Sequence, residues 1–484
     1  MFMDELLKIV AAGKAQVASD SRNIKKGDVF VAIKGTQVDG CDFVNNAIKQ
    51  GAEYIVADRK IDTQNARLVI VDNPTKALGI LAQAAKGNPA KKLCNLAVTG
   101  TNGKTTIGFL VKSIIENAGS KCGLVGTVIN DTGAGKTNSA MTTPDAVAIA
   151  DLQKQMVDAG AKYMMIEASS HALEQDRLTS VNFKAAAFTN LTGDHLDYHL
   201  TMENYLAAKT KLFEGLSSEA TAVLNKQTAE AESIADATKA KVIFYAVDEK
   251  TDLYAEIQTF DTRGTKYELH YNNNSIDVDS PLLGMHNISN HLAAAGLAIG
   301  AGFNLKQIKT GLEAAKLVPG RLQKVDIGQN FALLVDYAHT DDALKNVLQT
   351  LKPLCKSKLI VVFGCGGDRD KTKRPRMARV AEQLADTVIV TSDNPRTENA
   401  MAIIDDIIAG FANKNNITVE PDREKAIATA IKNAKAGDII LLAGKGHEDY
   451  QIIGKEKFHF SDTEVAEKYI KDRIQKSGVR DQNK

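Results

Sequence analysis

The chain has 484 residues, 44% of them hydrophobic and 25% charged, with a net charge of +1. That profile fits a soluble globular protein of about three domains, and the near-neutral charge argues against a nucleic-acid-binding surface. Five scattered cysteines (Cys41, Cys94, Cys122, Cys355 and Cys365) form no C-x-x-C pair, which favours a reducing compartment over a disulfide framework or a structural zinc site.

The first residues, MFMDELLKIV, are acidic early and lack a long apolar stretch, so no signal peptide is expected. No run approaches the roughly 18 apolar residues of a membrane span. A cytoplasmic protein is the expectation.

Residues 1–88 read as a small unit. Asp20-Ser21-Arg22 precedes a turn at Lys26-Gly27-Asp28, then a strand at Val29–Ile33. A polar loop, Gly35 to Gly40, leads to a helix at Asp42–Lys49 and a strand at Tyr54–Ala57. Lys86-Gly87-Asn88-Pro89 looks like a linker.

Strands then alternate with helices. Strands are expected at Leu93–Thr99, Cys122–Val128, Tyr163–Glu167 and Ala185–Asn190, with helices over 104–118 and 145–159. This alternation predicts βαβ units and a mostly parallel sheet. Residues 241–281 read as hairpins turning at Arg263-Gly264 and Asn272–Asn274. Helices follow over 287–300 and 304–315, and the chain turns at Pro319-Gly320.

A second α/β series has strands at Ala332–Tyr337, Lys358–Phe363, Thr387–Thr391 and Asp438–Ala443, with helices near 341–351, 375–385, 400–410 and 423–434. Ligands of such sheets bind beyond the carboxyl ends of the strands. The polar clusters DYAH, GCGGDRD, SDNPR and AGKGHED fall there. The polar tail SGVRDQNK is expected to fray.

The most telling stretch is LCNLAVTGTNGKTT, Leu93 to Thr106. It reads as a strand, a Gly-rich turn and a helix start. Gly100 and Gly103 let the backbone turn with its N–H groups pointing inward, Thr101 and Asn102 complete the loop, Lys104 adds a charge for phosphate oxygens, and the Thr105 hydroxyl suits Mg²⁺. The usual phosphate-loop pattern has a glycine where Val98 stands, so this is a variant. Glu167 ends an apolar strand of the same sheet and is placed to bind Mg²⁺.

Thr189 to His199 is dense in ligand types. Two His and two Asp after a strand suggest a second metal site, with His195 the chosen ligand. Lys209, in Tyr205-Leu206-Ala207-Ala208-Lys209, is either a solvated helix lysine or, if neutral in a closed site, one that takes up CO₂ to become a carbamate. Spacing alone leaves that open. Asn287 and Asn290 suit an adenine edge and Asp336 a ribose hydroxyl, although capping and turn roles explain them equally. Arg369 and Arg396 suit bidentate capture of carboxylates and Glu448 suits an ammonium; together they specify a zwitterionic amino acid.

With these clusters in order, the chain resembles the Mur ligases of cell-wall synthesis. The resemblance runs over essentially the whole chain. GTNGKTT, TTP at 142–144, EASSHAL, DHLDYH, the AAK of Lys209, DYAH, GGDRDK, DNPR and GKGHEDYQ all stand in family order. It implies an α/β protein of three domains: a small N-terminal α/β domain for the uridine nucleotide (1–88), a central phosphate-loop ATPase domain with a parallel sheet (89–318) and a C-terminal Rossmann-like domain for the amino acid (319–484).

The resemblance also assigns residues. Ser19, Ser21 and the Thr36-Gln37-Val38 loop match positions that hold the uridine nucleotide. Met141 (through its backbone), Thr142, Thr143, Ser169, Gln175 and Arg177 match those that grip the muramoyl-dipeptide. Thr106 and Arg321 join the ATP site, and Lys209 is carbamylated. Arg369, Asp393, Asn394, Pro395, Arg396, Gly444 and Glu448 match amino-acid-binding positions. DNPR is the form associated with meso-diaminopimelate.

The implied reaction is ATP-driven phosphorylation of the free D-Glu carboxylate of UDP-N-acetylmuramoyl-L-Ala-D-Glu, followed by attack of the diaminopimelate amine. Two Mg²⁺ ions are expected, held by Thr105 and Glu167 and by His195 and carbamylated Lys209. The enzyme is expected to be monomeric, with domain closure before chemistry. Rival readings are the same ligase using L-lysine, a folylpolyglutamate-synthase-like ligase, and an ATP-driven switch.

Overall fold

The computed structural model describes residues 2–35, 38–261, 264–315 and 318–481. The chain forms two compact units. One comprises Met1–Glu256, Leu269–Ile276 and Ser289–Ala314; the other comprises Ile257–Glu268, Asp277–Ile288 and Ala315–Lys484.

The first unit begins with a four-stranded parallel sheet in the order Val17–Ala18, Val29–Val31, Tyr54–Ala57, Arg67–Ile70. Two helices not foreseen from the sequence cover it, Met3–Ala11 and Pro74–Ala85. The second has clear start signals. The Asn73 side chain accepts from Lys76 N–H and Pro74 opens the helix, where a missing N–H costs nothing. Leu78 and Leu81 pack with Val29, Val31 and Val56 of the sheet.

The larger sheet of this unit has the phosphate-loop strand at its centre. Cys94–Thr99 lies between Phe183–Phe188 on one side and Tyr163–Glu167 on the other. Beyond Phe183–Phe188 come Thr221–Asn225, Lys241–Val247 and the start of Leu253–Asp261, all parallel. Cys122–Val125 pairs parallel with Tyr163–Glu167, and Ile129–Asp131 and Lys136–Asn138 finish that edge antiparallel. The central strands are buried on both faces, as parallel strands are.

Lys241–Val247 corrects the reading of 241–281 as hairpins: it is a parallel member of the main sheet. The turn after Gly264–Tyr271 is as expected. Asn272 and Asn273 have φ of 47° and 60°, the left-handed pair that a two-residue hairpin turn requires and Asn tolerates. The turn foreseen at Arg263 lies outside the described residues.

The second unit has a six-stranded sheet ordered Gln323–Lys324, Ala332–Asp336, Ile439–Ala443, Leu359–Phe363, Thr387–Val390, Ile417–Val419. All pairs are parallel except the first. Alternate residues serve opposite faces: Leu334 and Leu441 enter one core, while Leu333, Val335, Ile440 and Leu442 enter the other. Both faces are therefore covered, as in a doubly wound fold. The helix Asp462–Asp481 runs into the stretch expected to fray.

Candidate active site

The loop after Cys94–Thr99 takes its shape from two glycines. Gly100 has φ of 144°, and a Cβ there would lie 1.9 Å from Thr189 Oγ1. Gly103 has φ of 89°, with Asn290 Oδ1 2.4 Å from where its Cβ would be. No other residue fits either place. Thr101 N–H donates to Asn190 O and Asn102 N–H to Asn190 Oδ1, each at 2.9 Å. Lys104 opens the helix Lys104–Asn117, and its Nζ donates to the carbonyls of Gly100 and Thr101, both at 2.8 Å. Thr106 is buried one turn into that helix.

Strand register sets Glu167 beside the loop, since Val98 pairs with Glu167. Thr105 Oγ1 donates to Glu167 Oε2 at 3.0 Å. Thr127, which sequence reasoning missed, donates its N–H to Oε1 and its hydroxyl to Oε2, both at 2.9 Å. A Cβ on Gly126 would lie 2.2 Å from Oε1, so the glycine there admits the carboxylate. Thr105 and Glu167 are both buried. This all-oxygen set of hydroxyls and one carboxylate fits a hard cation such as Mg²⁺.

The same carboxylate connects to the residues matched to muramoyl-dipeptide positions. Thr127 Oγ1 lies 3.0 Å from Thr142 Oγ1. Thr143 Oγ1 donates to Glu167 O at 2.7 Å and Ser169 Oγ lies 3.0 Å from it. Arg177 Nη1 donates to Thr143 O at 2.8 Å and Nη2 to Gln175 Oε1 at 2.7 Å. Met141 is half exposed, and its carbonyl already accepts from Ser139 Oγ at 2.6 Å. Upstream, Ser21 is buried and accepts from Asn46 Nδ2 at 2.9 Å, whereas Ser19 and Val38 are exposed. Thr36 and Gln37 lie outside the described residues.

Lys209 is not the solvated helix lysine that composition alone allows. It is 1% exposed, its Nζ donates to Gly100 O at 3.0 Å, and the ammonium sits 4.1 Å from the Tyr205 ring centroid. Burial, then the charge of Lys104, push its pKa well below the ordinary lysine value. A neutral amine is the form that adds CO₂. As a free amine Lys209 offers Mg²⁺ no oxygen; as a carbamate it offers two.

The two histidines of DHLDYH part company. His199 is buried with Nε2 2.9 Å from Ser170 Oγ, whereas His195 is half exposed, with φ of 54° and its N–H donating to Asp194 Oδ1. The His195 ring has Nε2 3.5 Å from Asp194 Oδ2.

In the second unit, the expected residues gather at the carboxyl ends of Leu359–Phe363, Thr387–Val390 and Ile439–Ala443. Asn394 Nδ2 donates to Glu448 Oε2 at 2.9 Å. Lys445, fully buried and absent from the sequence-based set, reaches Asn394 Oδ1 at 3.3 Å and Glu448 Oε2 at 3.5 Å. Burial and the neighbouring Asp393 raise the Glu448 pKa. A Cβ on Gly444 would lie 2.8 Å from Asp393 Oδ2, and the Pro395 carbonyl packs where a Cβ on Gly367 would stand. Arg369 Nη1 donates to Asp368 O at 3.0 Å and Arg396 Nη1 to Gly367 O at 2.8 Å. Among the described residues neither guanidinium has a carboxylate partner.

Asp336 is buried. Its Oδ2 accepts from Leu322 N–H at 2.7 Å and Oδ1 from Ala338 N–H at 2.8 Å, so it ties the turn at Gly320 to its strand. Arg321 stacks 4.9 Å from the Tyr337 ring centroid. Asn287 Nδ2 donates to Leu283 O, while Asn290 faces the phosphate loop.

Three segments match known family domains: residues 15–86 the Mur ligase family catalytic domain, 98–298 the Mur ligase middle domain, and 320–446 the Mur ligase glutamate ligase domain. The chain is 44% identical over 459 residues to the UDP-N-acetylmuramoyl-L-alanyl-D-glutamate–2,6-diaminopimelate ligase of Clostridium tetani, covering 94% of each. It is 43% identical over 460 residues to that of Bacillus licheniformis, again covering 94% of each. Among solved structures, a ligase of the same description matches with a TM-score of 0.69 at 34% identity over 95% of both chains. The fold also matches the MurF ligase of Thermotoga maritima in complex with ADP, at a TM-score of 0.66 and 19% identity over 97% of this chain and 99% of that one. From its phosphate loop to its C-terminal sheet, the chain belongs to the Mur ligase family.

Proposed function

We propose that the protein is the ATP-dependent ligase that adds meso-2,6-diaminopimelate to UDP-N-acetylmuramoyl-L-alanyl-D-glutamate in peptidoglycan synthesis. One observation carries the choice of amino acid. Arg369 and Arg396 stand beyond the ends of neighbouring strands and, among the described residues, have no carboxylate partner; Glu448, on the loop after Ile439–Ala443, is held by Asn394. Diaminopimelate brings a distal amino-carboxylate that lysine lacks. A guanidinium can pair with that carboxylate, whereas lysine would leave it unpaired.

The D-Glu carboxylate attacks the γ-phosphorus of ATP. A P–O bond forms, the bond to the β-phosphate oxygen breaks, and ADP departs. The diaminopimelate amine then attacks the acyl phosphate carbon, loses a proton, and the tetrahedral intermediate expels phosphate to leave the amide. Lys104 supplies positive charge to phosphate oxygens. Thr142, Thr143, Ser169, Gln175 and Arg177 grip the muramoyl-dipeptide, and Ser19, Ser21 and the Thr36-Gln37-Val38 loop the uridine nucleotide. Gly100 to Thr106, Asn287, Asn290, Arg321 and Asp336 serve ATP.

Mg²⁺, when bound, neutralises charge on ATP and the acceptor carboxylate. Thr105 and Glu167 would hold one ion, and His195 with carbamylated Lys209 a second. We divide the chain into domains at 1–88, 89–318 and 319–484, which the separate sheets and the three matched segments support. Among the described residues no helix is long and apolar enough to cross a membrane. We place the enzyme in the cytoplasm as a monomer.

The test is ATP turnover with the uridine substrate plus meso-diaminopimelate, L-lysine or neither. Turnover only with diaminopimelate is expected. Equal or faster turnover with lysine would move the assignment to the lysine-adding ligase, and hydrolysis without any amino acid would point to an ATP-driven switch.

A further inference from the structure

Arg396 has a backbone φ of 51°, the left-handed region that a side-chain-bearing residue adopts only when its surroundings impose it. What imposes it is a two-stranded hairpin, Tyr450–Ile453 paired antiparallel with Glu456–His459. Arg396 N–H donates to Ile452 O at 3.1 Å, and Gly454 N–H donates to Arg396 O at 2.7 Å. Arg396 and Ile453 form an isolated parallel bridge by these bonds.

The hairpin grips the residues just before Arg396 as well. Gln451 Nε2 donates to Asp393 O at 2.7 Å, and Ile452 N–H donates to Asn394 Oδ1 at 3.0 Å. That Oδ1 also takes the contact from Lys445, so the Asn394 amide is fixed with its Nδ2 toward Glu448. The side chain of Asn394 is thus a spacer between hairpin and Glu448. Gly454 has φ of 63° and stands first in the two-residue turn, the position where such turns favour glycine. One residue both makes the turn and supplies a donor to Arg396.

We infer that the hairpin Tyr450–His459 is the positioning element for amino-acid selectivity: it holds Arg396 and Asn394 so that the guanidinium meets the distal carboxylate of the incoming amino acid. The inference rests on the diaminopimelate reading above. Gln451 and Gly454 are positioning residues, since they act through Asp393 and Arg396.

Two variants test it, each assayed for kcat and KM with all three substrates. Gln451→Met removes the donor to Asp393 O at similar volume. Gly454→Ala strains the turn without a steric clash, since nothing lies within 4 Å of the added Cβ. Each is expected to raise KM for meso-diaminopimelate 5- to 20-fold and to narrow its advantage over L-lysine. KM for ATP and for the uridine substrate, and kcat at saturation, are expected to stay within twofold. Glu456→Ala, on the exposed hairpin strand, is expected to match wild type.

An unchanged KM for diaminopimelate in both variants would overturn the inference. So would a parallel rise in all three KM values with a lower melting temperature, which marks a purely structural role. If Gly454→Ala fails to fold, Gln451→Met decides alone. Wild-type enzyme that does not use diaminopimelate defeats the functional reading instead, and the two failures are told apart in the same assay.

Discussion

Arg423 and Asp462 are joined by two hydrogen bonds, Nε to Oδ1 at 2.7 Å and Nη2 to Oδ2 at 2.6 Å, with neither side chain exposed. Burial works against the guanidinium charge, but Asp462, with Asp393 and Glu448 nearby, more than offsets it, so the arginine pKa stands above its ordinary value. The same guanidinium reaches Ala443 O at 3.0 Å, immediately before Gly444. Removing one partner strands the other charge. Asp462→Ala is expected to cost about 3–5 kcal/mol. Replacing both, as Arg423→Met with Asp462→Leu, is expected to recover most of that. Denaturant melts of the single and double variants check it; equal midpoints for Asp462→Ala and wild type would show that the pair stabilises nothing.

Gly100→Ala puts a methyl group 1.9 Å from Thr189 Oγ1, at a φ an alanine avoids. The loop must shift, and affinity for nucleotide is expected to fall by roughly 100-fold. Titration with ADP measures it. Gly135→Ala, where nothing lies within 4 Å, is the matched control and is expected to bind as wild type does.

Lys209 has its pKa pushed down by burial and by Lys104, so its amine is neutral at pH values where an exposed lysine is charged. Uptake of CO₂ needs that neutral amine and releases a proton. Activity is therefore expected to fall after thorough removal of CO₂ and to return with bicarbonate, faster as pH rises through the lowered pKa. Lys209→Ala is expected to lose on the order of 10²–10³ in kcat. Steady-state rates after degassing, with and without bicarbonate, would expose an error: indifference to bicarbonate removes the carbamate from the scheme.

Arg396→Ala deletes a guanidinium that has no competing carboxylate. A charge-assisted pair is worth about 1.5–3 kcal/mol, so KM for diaminopimelate is expected to rise about 10- to 150-fold. The melting temperature is expected to hold. Kinetics against each substrate separate this from a general loss of activity.

His286 lies in the second unit, partly buried, with Nδ1 3.3 Å from Thr350 Oγ1. Burial, then the Arg321 charge, lower its pKa from 6.5 to about 4. The unfolded chain therefore binds a proton at higher pH than the folded one. Stability is full above about pH 6.5 and is lost as pH falls toward 4, by up to roughly 3 kcal/mol. Melting curves at pH 7 and pH 4.5 are expected to converge in His286→Leu relative to wild type; an unchanged gap would clear this histidine of blame.

Much of the molecule is legible in its residues because local and global signals agree. The stretch from Leu93 to Thr106 carries strand, glycines, lysine and helix start in one run, and the second α/β series is marked by apolar strands ending in polar clusters. Asn272-Asn273 is legible as a turn because Asn accepts positive φ. Lys241–Val247 is not legible as a parallel strand, because partner choice is set by sheet order and not by its own pattern. The helix Pro74–Ala85 has its signal in Asn73-Pro74, which reads equally as a turn. His195 and His199 look alike on paper; only burial against Ser170 separates them. Thr127 sits in an unremarkable context, and Lys445, though inside the GKGHEDYQ motif, is marked only by its contact with Asn394, distant in sequence.

The phosphate-loop strand has partners on both edges and apolar layers over both faces. Its amides can reach solvent only when the whole sheet opens, so Leu96 to Thr99 should be among the last in the chain to trade hydrogen for deuterium. The nucleotide cradle is thereby hung from the slowest-exchanging part of its unit, and thermal agitation of the peripheral loops leaves its origin fixed.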